Sequence, residues 1–62
     1  MIIAIDTGGT KTLIARFDTD GIMTQLARFA TPRDPAQYLD AVTEAIRGAP
    51  EVDSIDAISI AL

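Results

Sequence analysis

Asp6-Thr7-Gly8-Gly9-Thr10-Lys11-Thr12 stands between two apolar runs, and its reading decides how the chain folds. Ahead of it, Met1-Ile2-Ile3-Ala4-Ile5 is continuously apolar, the pattern of a strand covered on both faces. Behind it, Thr12 to Asp18 alternates, with Leu13, Ala15 and Phe17 on one face and Thr12, Ile14, Arg16 and Asp18 on the other. The residues between must form a tight strand-to-strand turn that holds a carboxylate, adjacent glycines, hydroxyls and an ammonium group. Glycine accepts φ > 0 and carries no side chain, so this turn is expected to aim backbone N–H groups into one space. Lys11 adds a point positive charge, and Asp6 can hold a hydrated divalent cation. The combination reads as a cradle for a polyphosphate and its metal. The Walker spacing Gly-x-x-x-x-Gly-Lys-Ser/Thr is absent. A single Gly-Gly pair followed by a strand is not a dinucleotide fingerprint either.

Outward from the turn, Thr19-Asp20-Gly21 signals a hairpin, and Ile22 to Ala30 reads as a third strand. Simple alternation along it sets Ile22, Thr24, Leu26 and Arg28 opposite Met23, Gln25, Ala27 and Phe29. Thr31-Pro32-Arg33 breaks the strand. Asp34 then has the chemistry of a helix N-cap, with Pro35 at the first helical position and Gln37 at the capping-box position. Leu39, Val42 and Ile46, flanked by Tyr38 and Ala45, form an apolar stripe at helical spacing. Gly48 and Pro50 end the helix, and residues 51–56 make a polar connection. Ile55 to Leu62 reads as a fourth strand, with Ile58, Ile60 and Leu62 on one face.

The element order is therefore β-β-β-α-β. Short turns make the first three strands an antiparallel meander, and the helical crossover returns the fourth parallel to the first. The expected fold is α/β, a mixed sheet with strand order 3-2-1-4. Because the sequence stops inside an apolar strand at Leu62, it reads as the N-terminal piece of a longer protein.

Composition narrows the function classes. Nearly half of the 62 residues are hydrophobic (48%), enough for a folded core. A domain this short buries only about 60% of its unfolded surface, so its stability is marginal. Cysteine and histidine are both absent, which removes disulfides, thiolate metal sites and the commonest general base. The net charge of −4 disfavours nonspecific nucleic-acid binding. No signal peptide and no apolar run of membrane-spanning length is present, which points to a cytoplasmic location without membrane association. Asp18 and Asp20 read as a solvated hairpin end rather than a catalytic pair, because Asp favours turns by bonding to nearby backbone. Asp40 and Glu44 share an exposed helix face; Arg28 and Arg33 could touch an anionic ligand, but two scattered arginines read more simply as surface residues.

The strand, the Asp6-Thr7-Gly8-Gly9-Thr10-Lys11 turn, the Asp20-Gly21 hairpin, the Thr31-Pro32 step into an acidic helix and the final strand together resemble the opening of the sugar kinase, Hsp70 and actin superfamily. Within it they are most similar to the ROK family of repressors, open reading frames and sugar kinases. The resemblance runs through the whole chain and covers the opening part of a complete member. It implies a ribonuclease H-like fold, with residues 1–62 forming the first part of an actin-like ATPase domain. It implies the transfer of the γ-phosphoryl group of ATP to a hexose or N-acylhexosamine hydroxyl, as in a glucokinase. By position, Asp6 would approach Mg2+ through water. Gly8, Gly9, Thr10 and Lys11 would contact phosphate, with Thr12 a further candidate.

The catalytic base and the sugar, adenosine and zinc ligands of the family lie in later segments. No catalytic residue or zinc ligand is therefore expected in this chain, and alone it should be inactive. A sugar-responsive transcriptional regulator and an enzyme of the related N-acetylglucosamine kinase group are the competing readings. The open edge of the last strand is expected to favour a homo-oligomer.

Overall fold

A computed structural model describes residues 1–49 and 52–61. The chain forms β1 (Ile2–Thr7), β2 (Lys11–Phe17), β3 (Met23–Ala30), α1 (Pro35–Arg47), a single 3-10 turn at Val52–Ser54 and β4 (Ala57–Ala61). The four strands make one sheet in the order β3-β2-β1-β4. β1 pairs antiparallel with β2 and parallel with β4, and β2 pairs antiparallel with β3. The protein is thus a small α/β domain with a mixed four-stranded sheet and one helix, in the order read from the sequence. The contribution of Pro50 to ending the helix, and the place of Leu62, lie outside the described residues.

Register shows which side of the sheet is the core. Ile3 faces across to Arg16, Ile5 to Ile14 and Thr7 to Thr12, so these residues share one face. Met1, Ile3, Ile5 and Ile14 form the buried cluster there, with Val42, Ala45 and Ile46 of α1 and Leu26, Ala27 and Phe29 of β3 packed against it. Ile3 and Ile14 are fully buried, each stabilising the fold by about 1.5–3 kcal/mol relative to exposure.

Coverage departs from the sequence reading in two ways. β1 was expected to be covered on both faces, yet Ile2 is 46% exposed, because one helix can cover only one side of a sheet. In α1 the inward stripe runs through Tyr38, Val42, Ala45 and Ile46, while Leu39 turns outward at 62% exposure. Ile58 and Ile60 lie in register with Ile3 and Ile5, but at the sheet edge they remain about half exposed.

Local chemistry accounts for the element boundaries. The Asp34 carboxylate accepts a hydrogen bond from Ala36 N at 3.1 Å, which caps α1 just before Pro35. The backbone N–H of Gly48 closes the helix on Glu44 O at 3.1 Å. In the β2–β3 hairpin, Asp18 Oδ1 accepts from Asp20 N at 2.9 Å and from Ile22 N at 3.0 Å. Gly21 there takes φ +79°, a conformation that a Cβ would strain. Asp18 is therefore the turn-forming residue expected of it. At the other end of the sheet, the Met1 ammonium pairs with Asp56 Oδ2 at 2.6 Å and Asp56 N donates to Met1 O at 2.8 Å, joining the starts of β1 and β4.

Candidate functional site

The Asp6–Lys11 turn joins the end of β1 to the start of β2. Gly8 N donates to Lys11 O at 2.8 Å, so Gly8 and Lys11 close the hairpin and Gly9-Thr10 forms its tip. The two glycines do not use left-handed backbone as expected: among the glycines, only Gly21 has positive φ. Lack of bulk matters at Gly8 alone. A Cβ on Gly8 would sit 3.4 Å from Lys11 O, whereas one on Gly9 would meet open space. The Gly8 amide is consumed by the hairpin, while among the described residues no hydrogen bond engages Gly9 N or Thr10 N.

The turn is braced from the core side of the sheet. Thr31 Oγ1 donates to Gly8 O at 2.9 Å and lies 2.8 Å from Thr12 Oγ1. A hydroxyl has one proton, and that of Thr31 is committed to Gly8 O. The Thr12 hydroxyl must therefore donate to Thr31. Thr31 N adds a bond to Thr10 O at 3.0 Å. On the same side the hydroxyls of Thr7 and Tyr38 meet at 2.6 Å, tying the end of β1 to α1. Tyr38 is thus a tether at the core rim. Thr12 departs from its expected role at the ligand. It is fully buried on the core face, with its hydroxyl spent on Thr31, so it braces the turn and is not open to a ligand.

On the opposite face lies a cleft of about 330 Å³, lined by Asp6, Gly8, Thr10, Lys11, Leu13, Gln25 and Arg28. Four of the residues singled out in the sequence, Asp6, Gly8, Thr10 and Lys11, therefore converge on one cavity. Gly9 stays at the hairpin tip outside the lining and Thr12 lies on the other face. An apolar groove of about 250 Å³ continues from the cleft along the same face, past Leu13 to Phe17 and Met23.

Leu13 and Gln25 have no site role in the sequence reading, and Arg28, read there as a surface arginine, also joins the lining. The pairing of β2 with β3 is interrupted between Ile14 and Ala15: Ile14 faces Ala27 while Ala15 faces Gln25, which leaves Leu26 as an extra residue. This β-bulge reverses the alternation along β3. Only the pairing partner locates it, because the alternation along β3 by itself is weak and does not say where the extra residue falls.

The cleft carries two of the five basic residues of the chain, Lys11 and Arg28, against the single carboxylate of Asp6. On a protein of net charge −4, this is a local positive excess. Among the described residues, neither cation forms an ion pair. No group of three or more acidic or other metal-ligating side chains occurs among the described residues. A divalent cation held at Asp6 would therefore take its remaining ligands from water and from the anion itself.

Fold and site together define a small α/β domain with a charged cleft at the end of its first hairpin, on the sheet face away from the helix. Comparison with protein-family models, with curated proteins and with solved structures finds no match. No helix among the described residues is long and apolar enough to cross a membrane.

Proposed function

We propose that this chain is the N-terminal, phosphate-binding segment of an ATP-dependent sugar kinase of the ROK kind, with the ribonuclease H-like topology of the actin and Hsp70 superfamily. One observation carries the reading. The Asp6–Lys11 turn sits between β1 and β2 of a β3-β2-β1-β4 sheet and opens onto a cleft lined by Asp6, Gly8, Thr10 and Lys11.

Each residue fits a part in binding Mg2+–ATP. The Lys11 ammonium neutralises phosphate oxygens, and the unengaged amides of Gly9 and Thr10 donate to them. The Thr10 hydroxyl lines the same cavity. Asp6 would hold the metal through its bound water. The bound metal nucleotide supplies the phosphoryl group and the counter-charge for its transfer, and the chain's contribution is positioning and fixed dipoles. The acceptor is the hydroxyl of a hexose or N-acylhexosamine, bound in the cytoplasm. The base that takes its proton belongs to a later segment, so these residues alone turn over nothing. The exposed Ile58 and Ile60 beside the free edge of β4 fit a sheet completed by the rest of the kinase, or by a second copy when the chain is alone.

The test is made in the intact protein. A panel of hexoses and N-acylhexosamines should stimulate ADP release from ATP, and absence of any sugar-dependent turnover refutes the kinase reading. Lys11→Ala should lower that turnover about tenfold or more, the loss of one charge-assisted contact. Unchanged turnover refutes the phosphate assignment.

A further inference from the structure

We propose that Arg28 is a second cationic arm of the cleft, delivered by the β-bulge at Leu26. With Lys11 it selects ligands that carry linked anionic groups, a diphosphate or longer, over a single phosphate. The inference rests on the phosphate reading of the turn and adds to it a residue and a selectivity.

The bulge has a clear physical consequence. Leu26 packs against the core cluster, and so do Ala27 and Phe29. In a regular strand, Leu26 and Arg28 would share a face, and a guanidinium would be driven toward the apolar core beside Ile14. The extra residue resolves the conflict. It lets Leu26, Ala27 and Phe29 all reach the core side, while Arg28 comes into register with Leu13 and Gln25 with Ala15, on the cleft face. A bulge that re-aims side chains at a cavity is the usual functional use of the device.

The cleft chemistry then argues for more than one anionic group. Lys11 comes from the start of β2 and Arg28 from the neighbouring strand, and both line one cavity of about 330 Å³, which leaves room beyond a single tetrahedral oxyanion. Their binding modes differ. The ammonium is a compact point charge, whereas the planar guanidinium donates two parallel hydrogen bonds to a phosphate. Neither is neutralised by an ion pair among the described residues. Asp6 in the same lining disfavours a bare anion and favours one that arrives with a metal.

The test titrates the 62-residue chain with Mg2+–tripolyphosphate and, separately, with inorganic phosphate, following the Gly9 and Thr10 amides by NMR. The wild-type chain should bind tripolyphosphate more tightly than phosphate. Arg28→Gln should weaken tripolyphosphate binding about tenfold or more, while phosphate binding changes less than about twofold. Arg28→Lys should restore part of the loss. Circular dichroism should show the fold of both variants unchanged, since Arg28 is exposed. If Arg28→Gln binds tripolyphosphate as the wild type does while Lys11→Ala weakens both probes, the Arg28 inference is overturned and the phosphate reading stands. If neither probe shifts Gly9 or Thr10 in a saturable way, both are overturned.

Discussion

Replacing Thr31 should harm the fold more than replacing Thr12, although Thr12 is the buried residue of the pair. The relay runs from the Thr12 hydroxyl to Thr31 Oγ1 at 2.8 Å, and from the Thr31 hydroxyl to Gly8 O at 2.9 Å. Thr12→Val removes one donor. The Thr31 oxygen it leaves behind is only partly buried and can find water, so the cost is that of one net hydrogen bond, about 0.5–1.5 kcal/mol. Thr31→Val breaks both links and strands the Thr12 hydroxyl, which has no solvent contact. A buried hydroxyl without a partner costs about 1–3 kcal/mol, and loss of the Gly8 link adds another net hydrogen bond of about 0.5–1.5 kcal/mol, giving roughly 1.5–4.5 kcal/mol.

The double variant Thr12→Val/Thr31→Val removes the stranded hydroxyl. It should therefore be more stable than Thr31→Val alone. Urea unfolding followed by circular dichroism measures all three variants against the wild type, whose total stability for 62 residues should be about 3–9 kcal/mol. Amide exchange at Gly8, whose N–H donates to Lys11 O at 2.8 Å, reports the turn directly. It should accelerate more in Thr31→Val than in Thr12→Val. Equal costs for the single variants, or a double variant as damaged as their sum, would refute the donor assignment.

Three further outcomes follow from the packing. Ile14→Ala removes a fully buried side chain from the centre of the core and should cost about 2–5 kcal/mol, a large share of the total stability, read as a marked drop in the urea midpoint. Gly21→Ala places a Cβ on a residue at φ +79° and should lower stability by about 1–2 kcal/mol in the same urea assay. Gly9→Ala makes the contrast within the glycines. Its backbone is not left-handed and its Cβ would meet nothing within 4 Å, so stability should hold or rise by up to about 1 kcal/mol. A loss above about 0.5 kcal/mol would show that the tip needs glycine for its conformation.

Much of this protein is legible residue by residue, wherever the cause is local. Alternation at Thr12–Asp18, the Asp20-Gly21 hairpin and the Asp34-Pro35 start of the helix each depend on neighbours a few positions away. Together they determine the strand order and place Asp6, Gly8, Thr10 and Lys11 at one turn. Tertiary structure alone decided what depends on distant partners. Whether a face of β1 is covered depends on where one helix lies, so Ile2 is exposed while Ile3 is buried. Thr12 became a brace rather than a ligand contact because Thr31 lies beside it on the core face. Arg28 and Gln25 joined the cleft because β3 pairs with β2 through a bulge at Leu26, a property of two strands in register that neither strand carries by itself.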